Sequence, residues 1–465
     1  MGVGTAGATF GRTYFGTADL GDARRVERLV RSADALLGHP GGTLPAKLND
    51  PAALKGFYRL MNHPRTTHAA VLAPALARVR AAVAAEPGVV LLVTDWTELD
   101  YTGLTAVRDD LGLIGNGTHR GYLCATCLAV VPAGRRVLGV IGQRLAKRRR
   151  VPKRRGRAAR RDDPARETRL WAAVTAGLPV ASAGGRCVVV ADRGADVLEF
   201  LDGLLAAGRS FVVRARHDRR IDGAVGKLFA DLRGRPALGT RAWTIPAAAG
   251  RPARAATLAV AAAAVTLAVP VQPRGQLRGA PLPVTAVRVW EADPPAGAEP
   301  LEWVLLTDQP VTAADAAWAV ADWYACRWQV EEFHKGLKTG CGVEQVQFTT
   351  AQALEPTIAV LSVLAAQLLG LRDAAREPAR AGQPAREWVG PRAVQVLSLW
   401  RHRGERPDWT VGEYTLALAR LGGHQNRAHD GPPGWLTLWR GMMKLQQMLD
   451  VVTALDAQNP RPRCG

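Results

Sequence analysis

The sequence predicts an α/β protein in which helices cover both faces of a central sheet. Two apolar runs, Gly88–Thr94 and Cys187–Ala191, lack the alternation of half-exposed strands, which indicates strands buried on both faces. Helical segments are expected at Glu167–Ala176 and Ala195–Ala207, an alternation typical of α/β proteins. Further strands are expected at Gly121–Val131, Val137–Gln143 and Phe211–Arg214.

Length and charge limit the kind of protein. The chain has 465 residues, too many for one compact core, so about two to four domains are expected. Lysine and arginine number 61 against 41 aspartate and glutamate, a formal net charge of +20. Such an excess attracts polyanions, and nucleic acid is the commonest polyanion in a cell. An anionic membrane is the competing partner, but no basic amphipathic helix with an aromatic face favours it.

The cysteines and the apolar segments indicate a soluble, intracellular protein. Cys124 and Cys127 lie three apart in a predicted strand, so they face opposite sides and are poorly placed to share a zinc ion. We expect buried, reduced thiols. Met1–Phe10 lacks the basic start and apolar run of a signal peptide. The longest apolar stretch, Ala255–Val271, is mostly alanine and suits buried strands better than a membrane helix.

The N-terminal segment, residues 1–75, is predicted to be a basic helical domain. Asp22 can cap a helix that exposes several arginines, among them Arg24, Arg25 and Arg28. Asp50-Pro51 is a typical start for a second helix. The domain suits docking on DNA, and the alternative is an ordinary solvated arginine face.

The α/β core is assigned to residues 80–235 and 303–370. Between them, residues 236–302 contain short β-like runs broken by proline and glycine, which predict a β-rich insertion. Thr312 and Asp315 resemble a capping box at the start of a long helix. A second, strongly apolar helix is expected at Ile358–Leu371, followed by a polar linker.

Residues 371–465 are predicted to form a helical C-terminal domain. The apolar residues of its last helix have the alternating three- and four-residue spacing of a coiled coil. They are Trp435, Leu438, Met442, Leu445, Leu449 and Val452. This stripe either packs on a second subunit, which would make the domain a dimer contact, or packs within its own subunit.

Five polar residues near the end of the long helix form the most informative pattern. Tyr324, Arg327, Glu331, Lys335 and Lys338 follow one another at intervals of three, four, four and three. On one continuous α-helix these intervals place all five side chains on one face, and we call this set the polar ladder. A carboxylate among cations and a phenol suits the binding of a phosphodiester together with a metal ion.

Three carboxylates are candidates for a metal site. Asp95 and Asp192 each follow a buried strand, and ligands of open α/β sheets gather at the carboxyl ends of strands. The helix that carries Glu331 can bring a third carboxylate to the same place. Such oxygen ligands suit Mg²⁺, and Mn²⁺ is possible. For each aspartate alone, the alternative is a turn or cap residue.

These residues resemble the DDE cut-and-paste transposases of bacterial insertion sequences, more narrowly the group marked by Y-x2-R-x3-E-x6-K. The likeness covers nearly the whole chain. The ladder pattern is specific, and Ala18–Arg25 resembles the opening of that group's N-terminal transposase DNA-binding domain. The stretches around the two aspartates and at the C-terminal end also match, namely Val93–Thr97, Ala191–Asp196, Leu421–Gly423 and the Trp435–Leu449 helix.

The resemblance implies a ribonuclease-H-like catalytic core with Asp95, Asp192 and Glu331 as catalytic metal ligands. It also implies that Tyr324, Arg327 and Lys338 hold the phosphates of the transposon end, with Lys335 and Arg214 assisting. Trp303, at the end of a predicted strand, lies where relatives place an aromatic that stacks on a flipped base, and the alternative is a core tryptophan. Glu332 and Asp196 are expected to be structural.

A basic run at residues 147–161 fits the family less well. It lies between a strand and the following helix, where it can be a loop that grips DNA in a salt-dependent way or a solvated segment.

The expected function is therefore that of a transposase, an endonuclease that also joins DNA ends. It would bind terminal inverted repeats, pair two ends as a homodimer, and cut and transfer strands to target DNA with Mg²⁺, in the bacterial cytoplasm at the nucleoid. Two alternatives stay open. One is a non-catalytic DNA-binding protein descended from a transposase, and the other is a metal-dependent, structure-specific nuclease.

Overall fold

The computed structural model describes residues 9–39, 42–48, 50–148, 163, 166–222, 226–245, 253–269, 280–427 and 430–458. Within these ranges the strands are β1 (Val90–Asp100), β2 (Gly112–Ile114), β3 (His119–Val131), β4 (Arg136–Ala146), β5 (Cys187–Ala191), β6 (Ser210–Arg214), β7 (Gly239–Ile245), β8 (Arg254–Leu267), β9 (Leu282–Glu291) and β10 (Glu302–Thr307).

The helices of the N-terminal half are α1 (Phe10–Phe15), α2 (Ala23–Gly38), α3 (Leu44–Lys47), α4 (Pro51–Met61), α5 (His68–Ala85), α6 (Arg169–Thr175), α7 (Leu198–Ala206) and α8 (Leu228–Arg233). Those of the C-terminal half are α9 (Ala314–Ala325), α10 (Trp328–Lys335), α11 (Ala351–Arg376), α12 (Pro378–Ala381), α13 (Arg386–Val389), α14 (Pro391–His402), α15 (Val411–Leu421) and α16 (Trp435–Gln458).

The N-terminal helices begin where the sequence predicts. The Asp22 carboxylate accepts a hydrogen bond from the Arg24 backbone N–H at 2.8 Å, which caps α2. Asp50 accepts from the N–H groups of Ala52 and Ala53, both at 3.1 Å, and Pro51 occupies the first position of α4. These bonds satisfy donors that the first turn of a helix leaves unpaired.

The strands form one large mixed sheet in the order β2-β3-β1-β5-β6-β10-β9-β8-β7, with β4 also paired to β3. β1, β5 and β6 are parallel to one another, and the other neighbours are antiparallel. The strands from the range 236–302 continue this sheet through β10 without a break. Arg254–Leu267 is β8, so the longest apolar stretch forms a strand, as predicted.

β1 is longer than the sequence predicts, and the prediction that it stops at Asp95 is wrong. Pairing with β5 ends at Thr94 opposite Ala191, but pairing with β3 continues to Asp100 opposite Gly121. The apolar run marks only the part of β1 that is covered on both faces. Beyond it, the antiparallel ladder with β3 maintains the strand.

Helices cover both faces of the sheet, as the continuous apolar strands predict. On one face, Leu91 and Val93 pack in a core that includes α11 and the N-terminal helices. On the other face, Val90 and Leu92 pack with residues of α6 and α7. Cys124 and Cys127 lie in these two opposite cores, and all five cysteines within the described residues are free and buried.

Two described helices, His68–Ala85 and Ala351–Arg376, are long and apolar enough by composition to cross a membrane. The second is mostly buried inside the fold, as the core helix of a soluble protein would be. This is therefore weak evidence for membrane insertion.

The C-terminal region is more helical than predicted, and the predicted linker after residue 371 is wrong. α11 continues to Arg376, and the prolines that suggested a linker begin α12 and α14, where a proline is tolerated because the first turn needs no N–H donor. The apolar stripe of α16 packs within the chain: Leu438 and Leu445 are buried against α15 and α14. Part of the stripe therefore packs inside one subunit, while Met442, Leu449 and Val452 are half-buried, and packing on a second subunit stays a prediction.

Candidate metal and DNA site

The sheet register brings Asp95 and Asp192 to neighbouring positions. Thr94 of β1 pairs with Ala191 of β5, so the next residue on each parallel strand is one of the two aspartates. Local backbone donors orient both carboxylates. The N–H of Trp96 donates to Asp95 Oδ1 at 2.8 Å, and the N–H of Gly194 donates to Asp192 Oδ1 at 2.7 Å.

Arg327 connects the third carboxylate to this pair. Its Nη1 lies 2.6 Å from Glu331 Oε1 and 3.9 Å from Asp95 Oδ2. Its Nε is buried and has no hydrogen-bond partner among the described residues. Arg327 therefore neutralises two of the carboxylates and still has a donor to offer to a further acceptor.

The surroundings of Asp95 disfavour its charged form. Burial raises the pKa of Asp95 to about 7; the charges of Asp192 and Glu331 add to the rise, and the Trp96 N–H and Arg327 oppose it. A cation between these groups would relieve that repulsion, and three carboxylates are a suitable donor set for Mg²⁺ or Mn²⁺. Within the described residues, however, no group of three such side chains is close enough to hold a metal ion. Glu331 is instead paired with Arg327.

The polar ladder does not lie on one continuous α-helix, which corrects the prediction from its spacing. Tyr324 lies in the last turn of the helix Ala314–Ala325, and Arg327 lies in the junction that follows. Glu331 and Lys335 belong to the helix Trp328–Lys335. At the junction, Arg327 N–H donates to the Tyr324 carbonyl three residues back, at 2.9 Å. Lys338 lies in a π-turn, Gly336–Gly340.

These breaks separate the two lysines. Lys338 Nζ lies 3.2 Å from Glu344 Oε1, and that same oxygen accepts from the Asp100 N–H at the end of β1. Lys335 is exposed. The predicted capping box at the start of the helix is also wrong: Ala313 is the N-cap, with no side-chain hydrogen bond.

Trp303, Tyr324 and Arg214 lie near the start of β10. Trp303 is the second residue of β10, not the end of a strand as predicted, and it is half-buried. Its ring centroid lies 5.1 Å from that of Tyr324 and 6.2 Å from that of Trp243, both edge-on. Arg214, the last residue of β6, donates from Nη2 to the Glu302 carbonyl at 2.9 Å.

The three N-terminal arginines lie on α2. Arg24 is almost fully exposed and pairs with Asp22 at 3.1 Å. Arg25 donates to the Leu20 carbonyl at 2.6 Å, and the guanidinium of Arg28 lies against Gly56 of α4. Of the basic run at residues 147–161, only Lys147 and Arg148 lie within the described residues, and Arg148 pairs with Glu98 and Glu167.

Glu332 and Asp196, which the sequence analysis sets apart as structural, have structural contacts. Glu332 Oε2 lies 3.3 Å from Arg372 Nη1. Asp196 is buried, pairs with Arg219 at 2.6 Å, and accepts from the N–H of Arg216 at 2.7 Å.

Trp328 is a candidate that sequence reasoning missed. Trp328 is the first residue of the helix that carries Glu331, and it is 47% exposed. Its ring centroid lies 5.4 Å from the guanidinium carbon of Arg327. A solvent-accessible aromatic ring beside an arginine can stack on a nucleobase. In the sequence, Trp328 directly follows Arg327. It does not fit the three- and four-residue spacing of the polar ladder, so the spacing gave no reason to select it.

Two family models match the chain. A model described as Transposase DNA-binding matches residues 8–66, which contain Arg24, Arg25 and Arg28. A model described as Transposase DDE domain matches residues 165–366, which contain Asp192 and the polar ladder. Together the two models define a protein that combines a transposase DNA-binding segment with a DDE domain. The two matches together span more than half of the sequence, and the chain belongs to the DDE-type transposases.

Proposed function

We propose that the chain is an active cut-and-paste transposase of the group marked by Y-x2-R-x3-E-x6-K. Its ribonuclease-H-like core would comprise β1 and β3–β6 with the helices packed on them. The observation that carries the proposal is the position of Asp95 and Asp192 on adjacent parallel strands, with Glu331 joined to Asp95 through Arg327. The proposed domains keep the predicted bounds, with residues 236–302 as the β-rich insertion.

Asp95, Asp192 and Glu331 would hold Mg²⁺, with Mn²⁺ as a substitute. A bound divalent ion supplies charge stabilisation and activates the attacking oxygen in phosphodiester chemistry. For the three carboxylates to act together, Glu331 would have to leave Arg327 and move towards the two aspartates. The freed guanidinium, with its unpaired Nε, would then be available for a phosphate group, whose two oxygens can accept a bidentate pair of hydrogen bonds from arginine.

The same proposal distributes the DNA contacts. Tyr324, Arg327, Lys335 and Lys338, assisted by Arg214, would hold the cleaved end. The N-terminal arginines Arg24, Arg25 and Arg28 would bind the terminal inverted repeat, since arginines that reach solvent give salt-dependent contacts to phosphates. Pairing of two ends would require a homodimer, followed by transfer to target DNA, in the bacterial cytoplasm at the nucleoid.

A non-catalytic DNA-binding protein is the second candidate. The observation in its favour is the Arg327–Glu331 ion pair, which occupies one of the three carboxylates. Such a protein would keep end binding and would need no metal ion.

The test is incubation of the protein with DNA that carries the element's own ends, with Mg²⁺ and with EDTA. With Mg²⁺ we expect nicks at the ends, then hairpins and joined products; with EDTA we expect end binding alone. Gel analysis of the labelled strands separates these species. End binding without any nick in Mg²⁺ or Mn²⁺ would favour the non-catalytic alternative, and nicks without joined products would favour a structure-specific nuclease.

Trp303 gives a second test of the proposed chemistry. If its ring stacks on a flipped base, Trp303→Ala loses about 1–3 kcal/mol of stacking, or about 5- to 150-fold in hairpin formation, while the first nick is retained. Trp243→Ala is the matched control, because Trp243 is half-buried in the same aromatic group. Fluorescence of 2-aminopurine at the flipped position measures the stacking directly. Equal losses of nicking, hairpin formation and thermal stability in both variants would instead identify Trp303 as a core residue.

A further inference from the structure

Lys47 is a lysine in the interior of the protein. It ends the short helix Leu44–Lys47 of the N-terminal region and is only 1% exposed. Lysine is almost never fully buried without a partner, because its ammonium group loses its hydration. The partner here is a main-chain atom: Lys47 Nζ donates to the carbonyl oxygen of Cys341. Burial lowers the pKa of Lys47.

The carbonyl that Lys47 contacts lies at the end of the π-turn. Cys341 directly follows the π-turn Gly336–Gly340, and its N–H closes the turn by donating to the Gly336 carbonyl at 2.7 Å. Carbonyls at the end of a helical segment carry partial negative charge and have no partner within the helix, so a lysine is a favourable cap. Lys47 therefore fixes the end of the segment that carries Glu331, Lys335 and Lys338.

A second contact joins the same two regions. Gly342 has a left-handed backbone, with φ of +61°. A Cβ placed on Gly342 would lie 3.2 Å from the carbonyl oxygen of Gly42, so the chain before Lys47 runs close beside the chain after the π-turn. The N-terminal region thus touches the π-turn segment through both side chain and backbone.

The C-terminal helix holds the π-turn from another direction. The Trp435 indole packs closely against two glycines: a Cβ on Gly336 would lie 3.0 Å from Trp435 Cζ2, and one on Gly340 would overlap the ring. Trp435 is itself stacked on Trp439, with ring centroids 5.1 Å apart and planes at 12°. The glycines allow this close approach, and both tryptophans are buried.

We propose that Lys47 and Trp435 are positioning residues that clamp the π-turn between the N-terminal DNA-binding region and the C-terminal helix. The clamp sets the place of Lys335 and Lys338 relative to Glu331. Lys47 belongs to the same region as Arg24, Arg25 and Arg28. Binding of that region to a DNA end therefore affects the position of the π-turn and of Lys335 and Lys338. The proposal rests on the transposase activity proposed above, and it adds a mechanical link between recognition and cleavage.

The test compares Lys47→Met with Lys55→Met. Both remove one positive charge from the N-terminal region, but Lys55 is exposed on α4. Three quantities are measured in the full-length protein: affinity for a DNA end, nicking rate at saturating protein, and hydrogen–deuterium exchange of residues 336–342. For Lys47→Met we expect end affinity within about threefold of wild type, nicking slowed at least about tenfold, and faster exchange at 336–342. Lys55→Met should match wild type in nicking rate and exchange.

Trp435→Leu tests the other side of the clamp, and it covers the case in which Lys47→Met does not fold. It should slow nicking and raise exchange at 336–342 in the same way, with end affinity retained. The proposal is overturned if either folded variant nicks at the wild-type rate or leaves exchange at 336–342 unchanged. If wild-type protein binds ends but never nicks, the proposed transposase activity fails, and exchange at 336–342 alone then decides whether the clamp exists.

Discussion

Replacement of Glu331 by glutamine is expected to reduce nicking of the element's ends by a thousandfold or so, while end binding stays intact. The amide keeps the size of the side chain and removes its charge, so the proposed metal site loses one of its three anionic ligands. Asp95→Asn and Asp192→Asn should have effects of the same order. Nicking rates in Mg²⁺ and end affinities by gel shift, measured on the same preparations, separate catalysis from binding.

Glu332→Gln is the matched control for this series. Glu332 is the next residue on the same helix, but its carboxylate pairs with Arg372 at 3.3 Å. A partly exposed ion pair contributes about 1 kcal/mol or less, so we expect nicking within about fivefold of wild type. Wild-type nicking in any one of the three carboxylate variants would rule that residue out of the metal site.

Arg372→Met is expected to lower the free energy of unfolding by about 3–5 kcal/mol, because it leaves a buried carboxylate without its counter-charge. Arg372 and Asp373 are each 3% exposed, and Arg372 Nη2 lies 2.6 Å from Asp373 Oδ1. The same Nη2 donates to Gln329 Oε1 at 2.6 Å, so the pair also ties α11 to the helix that carries Glu331. The loss is measured as a shift of the urea unfolding curve.

Two comparisons identify the cause of that loss. Arg235→Met breaks an exposed pair with Asp231 and should cost no more than about 1 kcal/mol. The double variant Arg372→Met/Asp373→Leu removes both charges and should recover part of the stability, since an apolar pair can replace a buried ion pair. If the double variant is no more stable than Arg372→Met, loss of packing and not an unpaired charge is responsible.

The strands that are covered on both faces could be predicted from the sequence. The part of a strand that pairs with only one neighbouring strand could not. Cys187–Ala191 has the predicted bounds because its apolar run and its pairing end at the same residue. β1 continues past its apolar run because β3 pairs with it as far as Asp100. The hydrophobic pattern of a strand indicates which of its residues are buried. Pairing with a strand that is distant in the sequence does not affect the strand's own composition.

The candidate site shows the same limit. Strand ends and helical spacing led to the prediction of Asp95, Asp192 and Glu331 as the metal site, which stays a prediction. They did not reveal the junction at Arg327 or the π-turn, since both arise from how the segment packs and not from its periodicity. Lys47 was also beyond sequence reasoning, because a lone lysine is expected in solvent unless a distant carbonyl, here that of Cys341, is known to face it.

The π-turn at Gly336–Gly340 makes the position of Lys338 depend on the number of residues that separate it from Glu331. A π-turn holds one more residue than an α-helical turn, and an α-helix advances by about 100° per residue. Loss of one residue between Glu331 and Lys338 would rotate the lysine by about 100° about the helix axis and turn it away from Glu344. A substitution at an exposed position in this interval changes only a side chain, whereas an insertion or deletion changes the direction of the residues that follow. Gly336 is different, because a Cβ there would lie 3.0 Å from Trp435 Cζ2. The positions of Glu331 and Lys338 relative to each other therefore depend on the length and path of the backbone between them.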